Sequence, residues 1–157
     1  RSIVAKGIAQ GLSTRDIAKL IDEDSRGLFG MARANRIART EATRLTNASA
    51  LASMDEARDL GIKVYKMWAT AGDDLVRDSH AVLDGTVVDS LESFQTTTRD
   101  REGNTSTIDV ESPAASESAS FDVNCRCTLI PFIDESEAEK ESERRKPFAE
   151  SREPRDY

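Results

Sequence analysis

The sequence predicts an α+β fold: N-terminal helices including one long helix, then a small β-sheet, then an acidic tail expected to be disordered. Three observations predict it. From about Phe29 to Leu60, Met31, Ala34, Ala38, Ala42, Leu45, Ala48 and Ala52 recur at steps of three or four, the period of an amphipathic helix. From Ile62 to Ala69 the pattern changes to β-branched and aromatic residues without a breaker, which marks a strand. From Asp134 onward Glu, Lys, Arg and Ser dominate and core-forming residues are scarce. One domain over 1–133 follows, with a helical part over 1–61 and a small sheet part over 62–133, and a charged tail over 134–157.

Taken in chain order, Arg1 rather than Met predicts a fragment or a processed chain. Ser13, with Asp16 three residues on, opens a helix by a capping pattern, and Ile17, Leu20 and Ile21 give it one apolar side ending near Asp24 to Gly27. Gly11 to Ala18 imitates the first half of a helix-turn-helix. A long alanine-rich helix follows instead of a short polar recognition helix, which argues against DNA reading there. The small residues of that long helix suit close packing, and its stripe is expected to serve as an interaction surface. Gly61 then closes the helix in the left-handed position.

Beyond the strand at 62–69, Asp73 or Asp74 is expected to cap a helical turn that sets Arg77 and His80 on one face. Leu83-Asp84-Gly85 reads as a tight turn, Thr86–Val88 as an extended piece and 95–120 as a long polar loop. Val123 to Phe132 is extended again, and in a strand Cys125 and Cys127 would share one side. The tail allows one alternative to disorder, a solvated helix over Ser136 to Lys146.

Charge narrows the classes of function. Residues 1–63 carry 11 Lys/Arg against 8 Asp/Glu, 64–133 carry 5 against 12, and 134–157 carry 6 against 9. Tight DNA binding needs a concentrated basic face. Only Arg33, Arg36, Arg39 and Arg44 offer one, and the competing reading is a solvated face with Glu41 nearby. No apolar run approaches the length of a membrane span and no leader pattern is present.

Chemistry concentrates in two motifs: Arg77-Asp78-Ser79-His80-Ala81-Val82-Leu83-Asp84-Gly85, which holds the one histidine, and Asn124-Cys125-Arg126-Cys127-Thr128, which holds both cysteines. Cysteines one residue apart close no unstrained disulfide, so reduced thiols are expected. One reading is a zinc site of His80, Cys125 and Cys127, completed by Asp84, Asp78, Asp122 or a water; single-residue spacing of the cysteines argues against it. The other reading is a buried polar network in which Arg77 and Arg126 pair with Asp73, Asp78, Asp84 or Asp122 and the cysteines fill space. A thiol nucleophile at Cys125 or Cys127 with His80 as base lacks a helix-borne nucleophile and a glycine-rich oxyanion element. A zinc deaminase would need His-x-Glu, whereas Ala81-Val82 follow His80. Trp68 reads as a core anchor.

The blocks Ala38-Arg39-Thr40-Glu41, Val76-Arg77-x-x-His80-x-x-Leu83-Asp84-Gly85 and Asn124-Cys125-Arg126-Cys127, in this order with Trp68 and Phe94 between them, resemble the phage Mu protein F-like family of minor head proteins, over about Gly11 to Pro131. The resemblance implies a small virion component associated with the portal vertex. It would be assembled in the bacterial host cytoplasm by binding portal and capsid proteins, with packaged DNA as a further partner, or would persist in a prophage remnant. It marks Arg39, Glu41, Arg77, His80, Asp84, Gly85, Asn124, Cys125, Arg126 and Cys127 as a polar cluster, with Arg39 and Glu41 expected to tie the long helix to the sheet. It implies no catalysis; the alternative is a metal- or thiol-dependent enzyme centred on His80, Cys125 and Cys127. Toxin domains are sometimes fused to this family. Glu135-Ser136-Glu137 and Thr105-Ser106-Thr107 faintly resemble ADP-ribosyltransferase elements, in polar sequence where chance matches are expected.

Overall fold

The computed structural model describes residues 2–99 and 102–151. Helices α1 (Ser2–Ala9), α2 (Thr14–Asp24) and α3 (Gly30–Asp59) come first. The α2 cap is the expected one: Ser13 Oγ accepts from the Asp16 backbone N–H and donates to its carboxylate. Helix α1 goes beyond what the sequence pattern predicts. It packs closely on α2, because Gly7 presents no side chain where a Cβ would meet Ile17 Cγ1 at 2.6 Å. Gly61, at φ +82°, ends α3 with paired bonds from its own N–H to Arg58 O and from Ile62 N–H to Ala57 O.

Helix α3 serves two cores. Its first half presents Ala34 and Ala38, both fully buried, to Val4, Ile17, Ala18 and Ile21. That corrects the expected interaction stripe, whose centre is spent inside the chain. Further along, Ala48 and Ala52 are exposed, and Asn47, Ala50, Leu51, Met54 and Ala57 turn inward instead. This second core also holds Val64, Trp68, Leu83, Phe94, Val110, Phe121, Cys125, Cys127 and Leu129.

The expected sheet forms, with its first and last strands shorter and its middle piece shifted by one residue: β1 (Tyr65–Ala69) lies between β2 (Val87–Asp89) and β5 (Thr128–Phe132), antiparallel to both, with Trp68 opposite Leu129. A single turn, α4 (Asp78–Ala81), precedes β2 and another, α5 (Ala119–Asp122), precedes β5. Arg77 is the extended residue before α4, so the turn starts later than expected, and Asp73 instead accepts from Leu75 N–H. The segment assigned to a long loop contains a hairpin, β3 (Phe94–Arg99) and β4 (Thr105–Val110), in which Phe94 and Val110 face each other and fill the core. Thr96, Thr97 and Thr98 on β3 and Thr105 and Thr107 on β4 supply β-branched strand positions there, a signal that the polar composition masks.

The tail expectation also changes. Residues Glu135–Glu150 form helix α6, capped by Asp134 accepting from Ser136 N–H. It is more than a solvated helix. Ala138 is fully buried, Tyr65 Oη donates to Glu135 at 2.7 Å, and Arg145 donates to Asp84 at 3.1 Å. Polar anchors and one small apolar residue hold it, so composition alone suggested disorder. The remainder of the expected tail, 152–157, lies outside the described residues.

Candidate functional site

The two chemical motifs meet in the second core. His80, on α4, is 1% exposed, and its Nδ1 lies 3.4 Å from Cys127 Sγ and 3.6 Å from Cys125 Sγ. The cysteines are 2% and 5% exposed. The imidazole stands edge-on to Trp68, with centroids 5.6 Å apart, and tilts against Phe121 at 4.0 Å. Its Nε2 has no hydrogen-bond partner among the described residues. Cys127 N–H donates to Cys125 Sγ at 3.5 Å. The Cys127 thiol hydrogen-bonded to it, and then His80, pull the Cys125 pKa down to about 5, while the same pairing and burial push Cys127 up.

Both cysteines precede β5 and do not belong to it. Their irregular segment starts at Asn124, whose φ of +61° is a left-handed conformation that asparagine tolerates better than most residues. One face of α3 then binds the backbone that follows. Asn124 N–H donates to Thr40 Oγ1 at 3.0 Å, and Thr43 Oγ1 donates to Cys125 O at 2.9 Å. Asn47 Nδ2 donates to Cys127 O at 3.3 Å, while Asn47 Oδ1 accepts from Leu129 N–H at 2.8 Å. Thr40, Thr43 and Asn47 recur at steps of three and four, so a single polar stripe sets the sulfur positions.

Those three residues, with Arg44, make the tie expected of Arg39 and Glu41. Arg39 is exposed, and Glu41 takes part by accepting from Arg44, which also donates to Ala114 O at 2.8 Å and lies 3.8 Å from Asp122. Thr40 sits inside the Ala-Arg-Thr-Glu block, where its charged neighbours carry the stronger sequence signal. Asn47 is 1% exposed; an asparagine inside an alanine-rich helical pattern was the signal available for it.

The arginines of the motifs hold the surrounding loops. Arg126 grips Asp73 through both guanidinium nitrogens at 2.6 and 2.5 Å, a pairing that raises the arginine pKa, and Arg77 donates to Val123 O. Asp84 Oδ1 accepts from Thr70 N–H at 2.6 Å as well as from Arg145. Gly85, at φ +78°, is where α6 presses closest: a Cβ there would lie 2.9 Å from Arg145 Cβ and 3.0 Å from Ser142 O. Asp122 faces Ser116 and Arg44. A cavity of about 10 Å³ borders His80, Cys125, Cys127, Arg77 and Arg126, room for a single water.

The arginines considered for DNA lie elsewhere. Arg33, Arg36 and Arg44 line a groove of about 670 Å³ between α3 and the α5 region, together with Thr40, Glu41, Glu117 and Asp122. Arg33 stacks over Phe29, Arg44 is committed within the chain, and Arg39 does not line the groove. The faint transferase elements fall on β4 and on the first turn of α6, where Tyr65 engages Glu135. No helix among the described residues is long and apolar enough to cross a membrane.

Fold and site together define a small α+β module whose histidine and cysteines are closed off inside a core that one long helix organises. The chain belongs to the Phage Mu protein F like family, whose pattern matches residues 1–130. It is 35% identical over 131 residues to an NAD(+)--arginine ADP-ribosyltransferase EFV of Enterococcus faecalis, covering 83% of this chain and 25% of that protein. It is 30% identical over 131 residues to the minor head protein GP7 of Bacillus phage SPP1, covering 83% of this chain and 39% of that one. A third relative, from Haemophilus influenzae, is 29% identical over 137 residues, 87% of this chain and 25% of its own length. The chain thus spans a quarter to two-fifths of the curated relatives it matches. No solved structure matches it.

Proposed function

We propose that this chain is the folded module of a minor structural protein in a tailed-phage head, or in a prophage remnant of one, and that it works by binding portal and capsid proteins during head assembly. The observation that supports this reading over the enzyme alternative is the closure of the His80, Cys125 and Cys127 cluster: the neighbouring cavity of about 10 Å³ admits no substrate. The activity in the name of the Enterococcus relative stays with that protein, of which this chain covers 25%. The place of action is the head of the virion, reached from the host cytoplasm.

The contact surface is assigned to the groove beside α3. Arg33 and Arg36 are exposed at its edge, while Glu41, Glu117 and the inner oxygen of Asp122 supply the opposite charge. Mixed signs suit a protein partner. A DNA backbone needs several free cations without adjacent carboxylates, so contact with packaged DNA is the weaker part of this reading. The test is association of the purified chain with the portal and capsid proteins of its own phage, by sedimentation velocity, for wild type and for the pair Arg33→Glu and Arg36→Glu. Association lost in the charge-reversed chain supports the assignment. Association that is unchanged removes the groove as the contact surface, and a wild-type chain that binds neither protein overturns the reading.

A further inference from the structure

We propose that His80 Nδ1, Cys125 Sγ and Cys127 Sγ ligate one zinc ion, with a water in the adjoining cavity as fourth ligand, and that this ion staples α4 to the segment before β5. The three donor atoms lie within 4.8 Å of one another and all are buried. Zinc–sulfur bonds of about 2.3 Å and a zinc–nitrogen bond of about 2.0 Å, held at a tetrahedral angle, place sulfur and nitrogen about 3.5 Å apart. The two separations here are 3.4 and 3.6 Å.

One imidazole nitrogen offers either one lone pair or one proton, so it can satisfy a single sulfur, and two sulfurs face His80 Nδ1. A cation at their common focus satisfies all three. Two thiolates then neutralise the ion, which makes the site tolerable in a core. The Cys127 N–H already donates to Cys125 Sγ, an arrangement that favours thiolate.

Single-residue spacing ordinarily strains chelation by both sulfurs. Here the left-handed Asn124, together with the bonds from Thr43 and Asn47 to the carbonyls of Cys125 and Cys127, has turned both side chains toward one nitrogen. The spacing objection therefore does not apply to this backbone. The cavity of about 10 Å³ that His80, Cys125 and Cys127 line beside Arg77 and Arg126 has the room one water needs. Ligation through Nδ1 puts the imidazole proton on Nε2, which faces aromatic rings without an acceptor. Ligand histidines usually have such an acceptor, and its absence costs about 10–100-fold in affinity, so the ion should yield to a strong chelator.

The experiment uses the full chain, expressed with zinc in the medium and purified under a non-chelating reductant. Elemental mass spectrometry should give one zinc per chain. Chelation should lower Tm by roughly 8–16 °C, the shift for zinc held at about a thousand times its Kd in a chain of this size, and added zinc should restore it. Replacement by cobalt(II) should give thiolate charge-transfer absorption and the visible bands of a tetrahedral ion, a readout that needs no variant to fold. Zinc should be lost from Cys125→Ser with Cys127→Ser, and from His80→Asn. A metal-free chain whose melting ignores zinc and chelator, a cobalt spectrum without thiolate absorption, or one zinc per chain retained in the double variant would each overturn the proposal.

Discussion

Replacing Asn47 by alanine tests how the long helix fixes the site. The amide is 1% exposed and spans two elements: its oxygen takes the Leu129 N–H, and its nitrogen serves the carbonyls of Thr43 and Cys127. Alanine leaves the Leu129 N–H and the Cys127 carbonyl buried without partners, each costing about 1–3 kcal/mol. A working total of about 3 kcal/mol corresponds to a Tm lowered by roughly 6–12 °C in a chain of this size. The assay is a circular-dichroism melt paired with amide hydrogen exchange. The melt reports the total, and exchange at Leu129 reports the bond itself. Asn47→Asp is the internal control, because it keeps the acceptor and should leave the Leu129 amide protected while the carbonyl contacts fail. A loss below about 1 kcal/mol, or a Leu129 amide as well protected in Asn47→Ala as in wild type, would refute the reasoning.

Two further substitutions probe the rest of the frame. Gly85→Ala places a methyl group against Arg145 and Ser142 in a backbone that disfavours side chains. It should cost about 1–3 kcal/mol and speed tryptic cleavage at Lys140, Arg144 and Arg145, whereas unchanged cleavage would mean that α6 is not seated there. Ser13→Ala removes the α2 cap and should cost about 1 kcal/mol in urea denaturation, with the m-value unchanged.

What the sequence revealed depended on range. The Ser13 cap, the Gly61 stop and the long helix are written within a few residues of one another and were readable. The face that α3 buries toward the sheet was not. Ala48 and Ala52 continue the small-residue period but point to solvent, and Asn47 faces inward because its partners lie about eighty residues downstream. Scarcity of histidine and cysteine was enough to nominate His80, Cys125 and Cys127 as neighbours. Their placement ahead of the strand came from Asn124 and the α3 stripe, which no local pattern encodes. The Arg126 pairing with Asp73 was one of several expected partners, and geometry selected it. The hairpin and α6 were obscured for one shared reason: Thr, Glu and Arg can build an element while a composition argument counts them as solvent-facing.

The ties from Thr40, Thr43 and Asn47 to the Asn-Cys-Arg-Cys segment also set a timetable. Each joins chain positions eighty or more residues apart. On the ribosome, therefore, α1, α2 and the first half of α3 can assemble early from local contacts, while the inner face of Asn47 stays in water until Leu129 has emerged. Closing so wide a loop is slow relative to forming a helix. The thiol and imidazole cluster therefore takes shape late, and until it does both cysteines stay open to oxidants and metal ions in the cell.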